Sequence, residues 1–589
     1  MENVPELEFK GLGVSSGIAA GPARVLKPSD ATVPDYAISD ADVPRELIRL
    51  EQALIVTRRQ LRDIQQRVGS ALGSESARIF ESHLHVVDDA SFIEEIYHDL
   101  RTQKRNAEAV LHQASERYAK TLQNMEDDYL RERATDIRDV TRRVLRILMG
   151  QTTEPPIAPD SPRILVAADI TPSDLAGLDR HKLLGIATEQ GSSTAHTAIM
   201  ARAMELPAVV GVRDLCARVS EGDRLLLDGV RGVVVVHPTP AREKEFARVA
   251  RSRQSIRKRL DALKDEPATT LDGHAMTLVA NIETPGDVSA VLARGARGIG
   301  LFRTEYLFLA NAGEPDEEQQ VRAYAEVARH DFPDGVVIRT LDLGGDKLSP
   351  TFHQQPEANP FLGWRAIRLC LDLPALFKTQ LRAILRASAN HPHLRIMFPM
   401  VSSVAEFEQA NKLLEECKAE LDAAGVPFHR EVEVGVMVEI PSAALMAHRL
   451  ARRVRFFSIG TNDLVQYTLA VDRGNDRVAH LFDPAHPAVL ELIERTVAAG
   501  REQGISTSVC GEMAGNPVFV PLLMGLGVDT LSVSPSAIAL IKAVIRHVTY
   551  ADAVELAAEV RAMEGGEEVQ SRCRELIRQC APEILELAE

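Results

Sequence analysis

One histidine stands alone in GSSTAHTAIMAR, residues 191–202, flanked by small and hydroxylated side chains. Neutral imidazole is a good nucleophile, and bare surroundings let a second molecule approach closely. A helix is expected to begin at this point, which would offer backbone N–H groups, with the Thr194 and Thr197 hydroxyls, to a phosphoryl group. No second His or Cys lies nearby to share a metal ion. These features favour a phosphorylated histidine at His196 over a metal ligand.

A second set of reactive side chains follows apolar runs in the C-terminal half. From Glu266 onward eight such runs (MTLVANI, ARGIGLF, GVVIRTL, RIMFPMV, EVGVMVE, FFSIG, STSVCG and TLSVS) alternate with helical stretches. Eight β-then-α units predict a (β/α)8 barrel, whose chemistry gathers at the C-terminal ends of its strands. Arg303, Arg339, Glu439, Asn462, Asp463 and Cys510 stand at those ends, and Lys347, Arg365 and Arg473 lie in loops or helix starts on the same side. Arginines and a lysine converging on one mouth suit a ligand with several negative charges. Glu439 and Asp463 supply hard oxygens for Mg²⁺ shared with substrate oxygens. The ligand these residues imply is a small phosphorylated carboxylic acid. Cys510, beside Gly511 and Glu512, reads as a proton donor or a nucleophile.

Holding these two sets requires several domains, because 589 residues exceed what one core accommodates. Short strands over residues 1–34 give way to amphipathic helices. Leu47, Leu50, Leu54, Leu61, Ile64 and Val68 recur on one helical face. A helical subdomain is therefore expected over 35–150, ended by the proline-rich TTEPPIAPDSP. RILVAAD, LLGIATEQ, PAVVGV, DRLLLDG and GVVVVHP then read as strands, so 1–34 and 151–238 should form one α/β domain around His196, with the helices inserted into it. Residues 239–264 read as a polar linker helix and 265–589 as the barrel, giving a multidomain α/β protein. The net charge of −16 argues against a nucleic-acid partner and favours a basic protein partner. No run is apolar enough to span a membrane, no secretory signal is expected, and six scattered cysteines fit a reducing cytoplasm.

At this point a family resemblance emerges. GSSTAHTAIMARAMELPAVVG, GIGLFRTEYLF, IRTLDLGGDK, NPFLGWRAIR, FFSIGTNDLVQYTLAVDRGND and CGEMAG resemble, in order and from about residue 10 to 550, enzyme I of the bacterial phosphotransferase system. ARIFESHLHVVDD and YLRERATDIRDV are similar to that family's docking region for the HPr phosphocarrier. The resemblance implies phosphorylation of His196 at Nε2, and phosphoenolpyruvate held by Arg303, Arg339, Lys347, Arg365, Asn462 and Arg473. It also implies Glu439 and Asp463 as Mg²⁺ ligands, and Cys510 as the acid that turns the enolate into pyruvate. A cytoplasmic homodimer through the barrel, passing its phosphoryl group to HPr, would follow. Ser192 and Ala195 depart from the family's usual Gly-Gly-x-Thr-Ser-His loop, and Ser16 stands where a proline is common. Dikinases and synthases with similar motifs need a nucleotide-binding domain, for which this chain has no room.

Overall fold

The computed structural model describes all residues except 1–4, 16, 27–32, 73, 124–127, 151–160, 172–173, 176–177, 179, 192–195, 205, 310–313, 345–356, 358, 476 and 589. For His196 and some other helix positions it describes the backbone alone. The chain divides into two compact units, Met1–Arg253 and Gln254–Glu589.

In the first unit eight strands form one sheet. They are β1 (Leu7–Lys10), β2 (Leu12–Ser15), β3 (Ile18–Leu26), β4 (Arg163–Ala167), β5 (Leu183–Thr188), β6 (Ala208–Val210), β7 (Arg224–Asp228) and β8 (Val233–Val236). Their order is β1-β8-β7-β3-β4-β5-β6-β2. The central β3-β4-β5-β6 run is parallel and the flanking pairs are antiparallel. Parallel strands covered on both faces need near-continuous apolar sequence, which RILVA in β4 supplies. Its side chains alternate between two cores: Ile164 and Val166 pack with the β7–β8 face, while Leu165 and Ala167 join the helices.

Five helices lie between β3 and β4: α1 (Val43–Leu72), α2 (Ser74–Asp88), α3 (Ala90–Gln103), α4 (Ala107–Gln123) and α5 (Asp128–Leu148). Leu50, Leu54, Leu61, Ile64 and Val68 are buried on one face of α1, and Leu47 packs at its edge. Arg49 ties three helices together. It pairs with Glu46 and Glu108, both at 2.6 Å, and donates to the Leu148 carbonyl at 3.0 Å.

The second unit contains a closed barrel of eight parallel strands. These are β9 (Thr277–Ile282), β10 (Ile299–Phe302), β11 (Val336–Arg339), β12 (Leu394–Phe398), β13 (Val434–Val438), β14 (Phe456–Ile459), β15 (Ser506–Val509) and β16 (Thr530–Val533). β16 pairs with β9 to close the ring. All eight apolar runs of the sequence become strands, mostly trimmed at their ends, with β12 beginning one residue earlier at Leu394. Alternation along the strands separates two clusters. Phe302, Ile338, Ile396, Val436 and Phe457 belong to the large core shared with the helices, whereas Leu301, Val337, Met397, Met437, Phe456 and Cys510 form a separate inner group. Among the described residues no helix is long and apolar enough to cross a membrane.

Candidate active site

Strand ends set the positions of the polar side chains at the barrel mouth. Arg339 is the last residue of β11 and is buried, with Glu305 at 3.1 Å and Asp342 at 3.0 Å. Arg365 precedes the helix Ala366–Asp372, and a backbone bridge to Gly344 fixes it. Its Nε and Nη2 donate to Asp342 Oδ1 at 3.2 and 2.8 Å. Its Nη1 donates to the Tyr467 hydroxyl at 3.3 Å and lies 3.7 Å from Asp463. Asp342 is thus clamped between two guanidinium groups, which keeps both fully charged despite their burial. Lys347 lies outside the described residues.

Glu439 follows β13 directly and is almost fully buried. The Met400 N–H donates to its Oε1 at 2.6 Å. Burial, then repulsion from Asp463 and Asp342, pushes its carboxyl well above the usual range, despite Arg339 and Arg365 nearby. Asp463 sits in the first turn of the helix Thr461–Leu469, after β14. The nearby arginines do not offset the burial of Glu439 and its repulsion from Asp463 and Asp342, and a divalent cation would add the missing positive charge. Among the described residues no group of three or more His, Cys, Asp or Glu could hold a metal alone, so a Mg²⁺ ion at Glu439 and Asp463 would draw its remaining ligands from substrate oxygens and water. Glycine is required at both neighbouring strand ends. A Cβ on Gly460 would stand 2.7 Å from Glu439 Oε2, and one on Gly511 would overlap the Thr461 hydroxyl.

Cys510, 3% exposed, follows β15 with its Sγ 3.6 Å from the Ile459 carbonyl. Burial pushes the thiol up, against the opposing effect of the neighbouring Ser458 hydroxyl. A protonated thiol suits donation rather than nucleophilic attack. Asn281 Nδ2 donates to the carbonyls of Cys510 and Ser532, both at 3.1 Å, and its Oδ1 accepts from Ser532 Oγ at 2.6 Å, so β9 and β16 hold the Cys510 backbone in place.

The rim is more open. Arg303 follows β10 and pairs with Glu283 at 3.0 Å. Asn462 Nδ2 donates to Glu512 Oε1 at 3.0 Å, and the Glu512 N–H donates back to Asn462 Oδ1 at 2.9 Å. Arg473 reaches the same Glu512 at 3.3 Å. Arg303 and Arg473 are about two-fifths exposed, so a ligand can displace their carboxylates.

His196 is the first residue of the helix His196–Ala203 (α6), in the other unit. The Thr197 hydroxyl donates to the Ile170 carbonyl at 2.7 Å. Its proton is therefore committed to that carbonyl, whereas the sequence led one to expect it offered to a phosphoryl group. Ser16, Ser192, Thr194 and Ala195 lie outside the described residues. The structure thus gathers Arg303, Arg339, Arg365, Glu439, Asn462, Asp463, Arg473 and Cys510 in one unit. Sequence reasoning underrated Asp342, Glu512 and Tyr467. Asp342 lies three residues beyond Arg339, Glu512 two beyond Cys510, and Tyr467 one helical turn beyond Asp463, which was the available signal.

Three family models match the chain. They are the N-terminal part of PEP-utilising enzymes over residues 10–133, their mobile domain over 159–232 and their PEP-binding domain over 257–550. A phosphoenolpyruvate-protein phosphotransferase of Listeria monocytogenes is 42% identical over 562 residues, covering 95% of this chain and 98% of that protein. One from Geobacillus stearothermophilus is 42% identical over 568 residues (96% and 98%), and one from Bacillus subtilis is 40% identical over 571 residues (97% and 100%). Among solved structures, an NMR solution structure of an Enzyme I protein is 32% identical. It covers 42% of this chain and 99% of that one, with a TM-score of 0.36.

Proposed function

The chain belongs to the enzyme I family of phosphoenolpyruvate–protein phosphotransferases, and from that premise we propose a two-step transfer that starts the sugar phosphotransferase pathway. The phosphoryl group of phosphoenolpyruvate passes to His196 and then to the HPr phosphocarrier, with release of pyruvate. The observation that carries this reading is the clamped mouth of the barrel, where buried cationic arginines, crowded carboxylates and a protonated thiol converge.

Arg303, Arg339, Lys347, Arg365, Asn462 and Arg473 bind the substrate's phosphate and carboxylate. Glu439 and Asp463 would hold Mg²⁺, which would supply positive charge to the transferring group. The His196 Nε2 lone pair forms the new N–P bond as the bridging O–P bond breaks toward the enolate. The Cys510 thiol gives its proton to the enolate methylene carbon, completing pyruvate. The phosphohistidine belongs to an α/β domain of residues 1–34 and 151–238. HPr docks on the helices of 35–150, the helix over 239–264 links the two units, and 265–589 form the barrel. We place the enzyme in the cytoplasm, as a homodimer through the barrel.

Intact-mass measurement after incubation with phosphoenolpyruvate and Mg²⁺ tests the central step. One phosphoryl group should appear on the wild type, be discharged by HPr, and be absent from His196→Ala, which still binds phosphoenolpyruvate. A stable phosphohistidine on the variant would move the nucleophile elsewhere.

A further inference from the structure

We propose that the inserted helices carry a binding site for a small phosphate- or carboxylate-bearing anion, distinct from the barrel mouth. A cavity of about 180 Å³ lies between α4 and α5, with Val33 and Met149, at the two ends of the helical insertion, also on its wall. Arg138, Arg142 and Arg146 line it at i, i+4 and i+8, so one face of α5 presents three guanidinium groups on successive turns. Glu116 is the one carboxylate on the wall. This is a local excess of positive charge in a chain whose net charge is −16.

The three arginines differ in what they already hold. Arg138 makes a forked pair with Glu116, Nε at 3.0 Å and Nη2 at 3.1 Å. Arg146 reaches Asp174 at only 3.6 Å. Arg142 has no carboxylate partner among the described residues. Solvated arginines on a helix are ordinary, and alone they would indicate nothing. Thr141 is different. It lines the same cavity, is 4% exposed, and its hydroxyl finds no hydrogen-bond partner among the described residues. A buried hydroxyl without an acceptor is costly, and an anion oxygen in the cavity removes that cost.

Guanidinium forks beside a hydroxyl donor select oxygen anions. The volume falls below the ~300 Å³ at which drug-sized pockets begin, so it suits phosphate or a short dicarboxylate rather than a nucleotide. An anion held by Arg142 and Arg146 also competes with Asp174, whose pair with Arg146 joins α5 to the segment after β4. Occupancy therefore bears on how the helices are held to the sheet that carries His196.

Met149 reports on the cavity from inside its wall, which allows a local test in the full-length chain. The 13 methionines are labelled as ¹³C-methyl, and the Met149 resonance is assigned with Met149→Leu. Inorganic phosphate and succinate are then titrated separately at constant ionic strength. We expect a saturable shift of the Met149 methyl with at least one of them, and the responding probe identifies the anionic group. Arg142→Gln should weaken the response about tenfold, the loss of one charge-assisted hydrogen bond. Thr141→Val should weaken it too, while the other methyl resonances show that both variants are folded. No saturable Met149 shift with either anion, or full retention of the response in folded Arg142→Gln, overturns the proposal.

Discussion

Cys510 is the residue at which mechanism can be separated from packing. Burial keeps its thiol protonated beside the arginines of the mouth, yet it also fills space among Met397, Met437 and Phe456. If it is the acid, Cys510→Ala leaves phosphoenolpyruvate and Mg²⁺ binding intact while pyruvate formation falls by about 10²–10⁴-fold, the usual worth of general acid catalysis. A fall below threefold would assign it to packing. Arg303 and Arg473 pose a different question, since each already faces a carboxylate at the surface. Their replacement by Ala leaves no buried charge unpaired, so melting temperature should hold while kcat/KM falls, because contacts to a transferring phosphoryl group strengthen in the transition state. Wild-type kinetics in both variants would remove the rim from the reaction. Arg339 cannot serve this test, as its loss would strand Glu305 and leave Asp342 with Arg365 alone, at a cost of about 3–5 kcal/mol. Arg303, Arg339, Glu439, Asp463 and Cys510 were legible because they stand at the ends of apolar runs whose repetition reveals a barrel. Asp342 and Glu512 were harder to read. Their importance comes from which arginines they face, and that depends on loops crossing between strands far apart in the chain.

Among the elements, most barrel strands were readable because they are buried on both sides and so written largely in apolar residues, β15 (STSV) being the exception. The order of strands in the N-terminal sheet was not readable. β2 lies at the edge beside β6, nearly two hundred residues away, and local periodicity carries no record of such partners. The inserted helices also hide an ionic contact that sequence patterning does not reveal. His83 on α2 is fully buried, with Nε2 3.2 Å from Asp136 and Nδ1 3.7 Å from Asp139, both on α5. Burial acts to lower its pKa, as does Arg143, but the two aspartates outweigh both and leave it raised. A raised folded pKa stabilises fully below the unfolded value of about 6.5, and the gain disappears as pH climbs through the folded value. Melting of the N-terminal unit should therefore occur at lower temperature in mildly alkaline than in mildly acidic buffer, with a slope of at most about 1.4 kcal/mol per pH unit. His83→Gln should flatten that dependence. An unchanged slope would place its source elsewhere.

For the whole molecule, the proposed division of labour predicts that the two transfers can be separated by cutting the chain. His196 and the inserted helices belong to the unit Met1–Arg253, whereas every described barrel residue nominated for substrate or metal lies in Gln254–Glu589. The clusters that bury the first unit's apolar residues draw them from Leu7 to Phe246 alone, including the shared core of helices and sheet. A fragment with its own core folds independently. Residues 1–261, which keep the helix Pro240–Asp261 whole, should therefore melt cooperatively without the barrel. The fragment retains the imidazole and the start of α6, so it should exchange phosphate reversibly with phospho-HPr. It lacks the arginines, carboxylates and thiol of the mouth, so phosphoenolpyruvate with Mg²⁺ should leave it unmodified. Intact mass after one incubation with each donor distinguishes these outcomes. Phosphorylation of the fragment by phosphoenolpyruvate would mean that the barrel is not where the first transfer is catalysed. Failure of the folded fragment to exchange with phospho-HPr would mean that the helices are not its dock, leaving His196 without the second partner that its bare surroundings suggest.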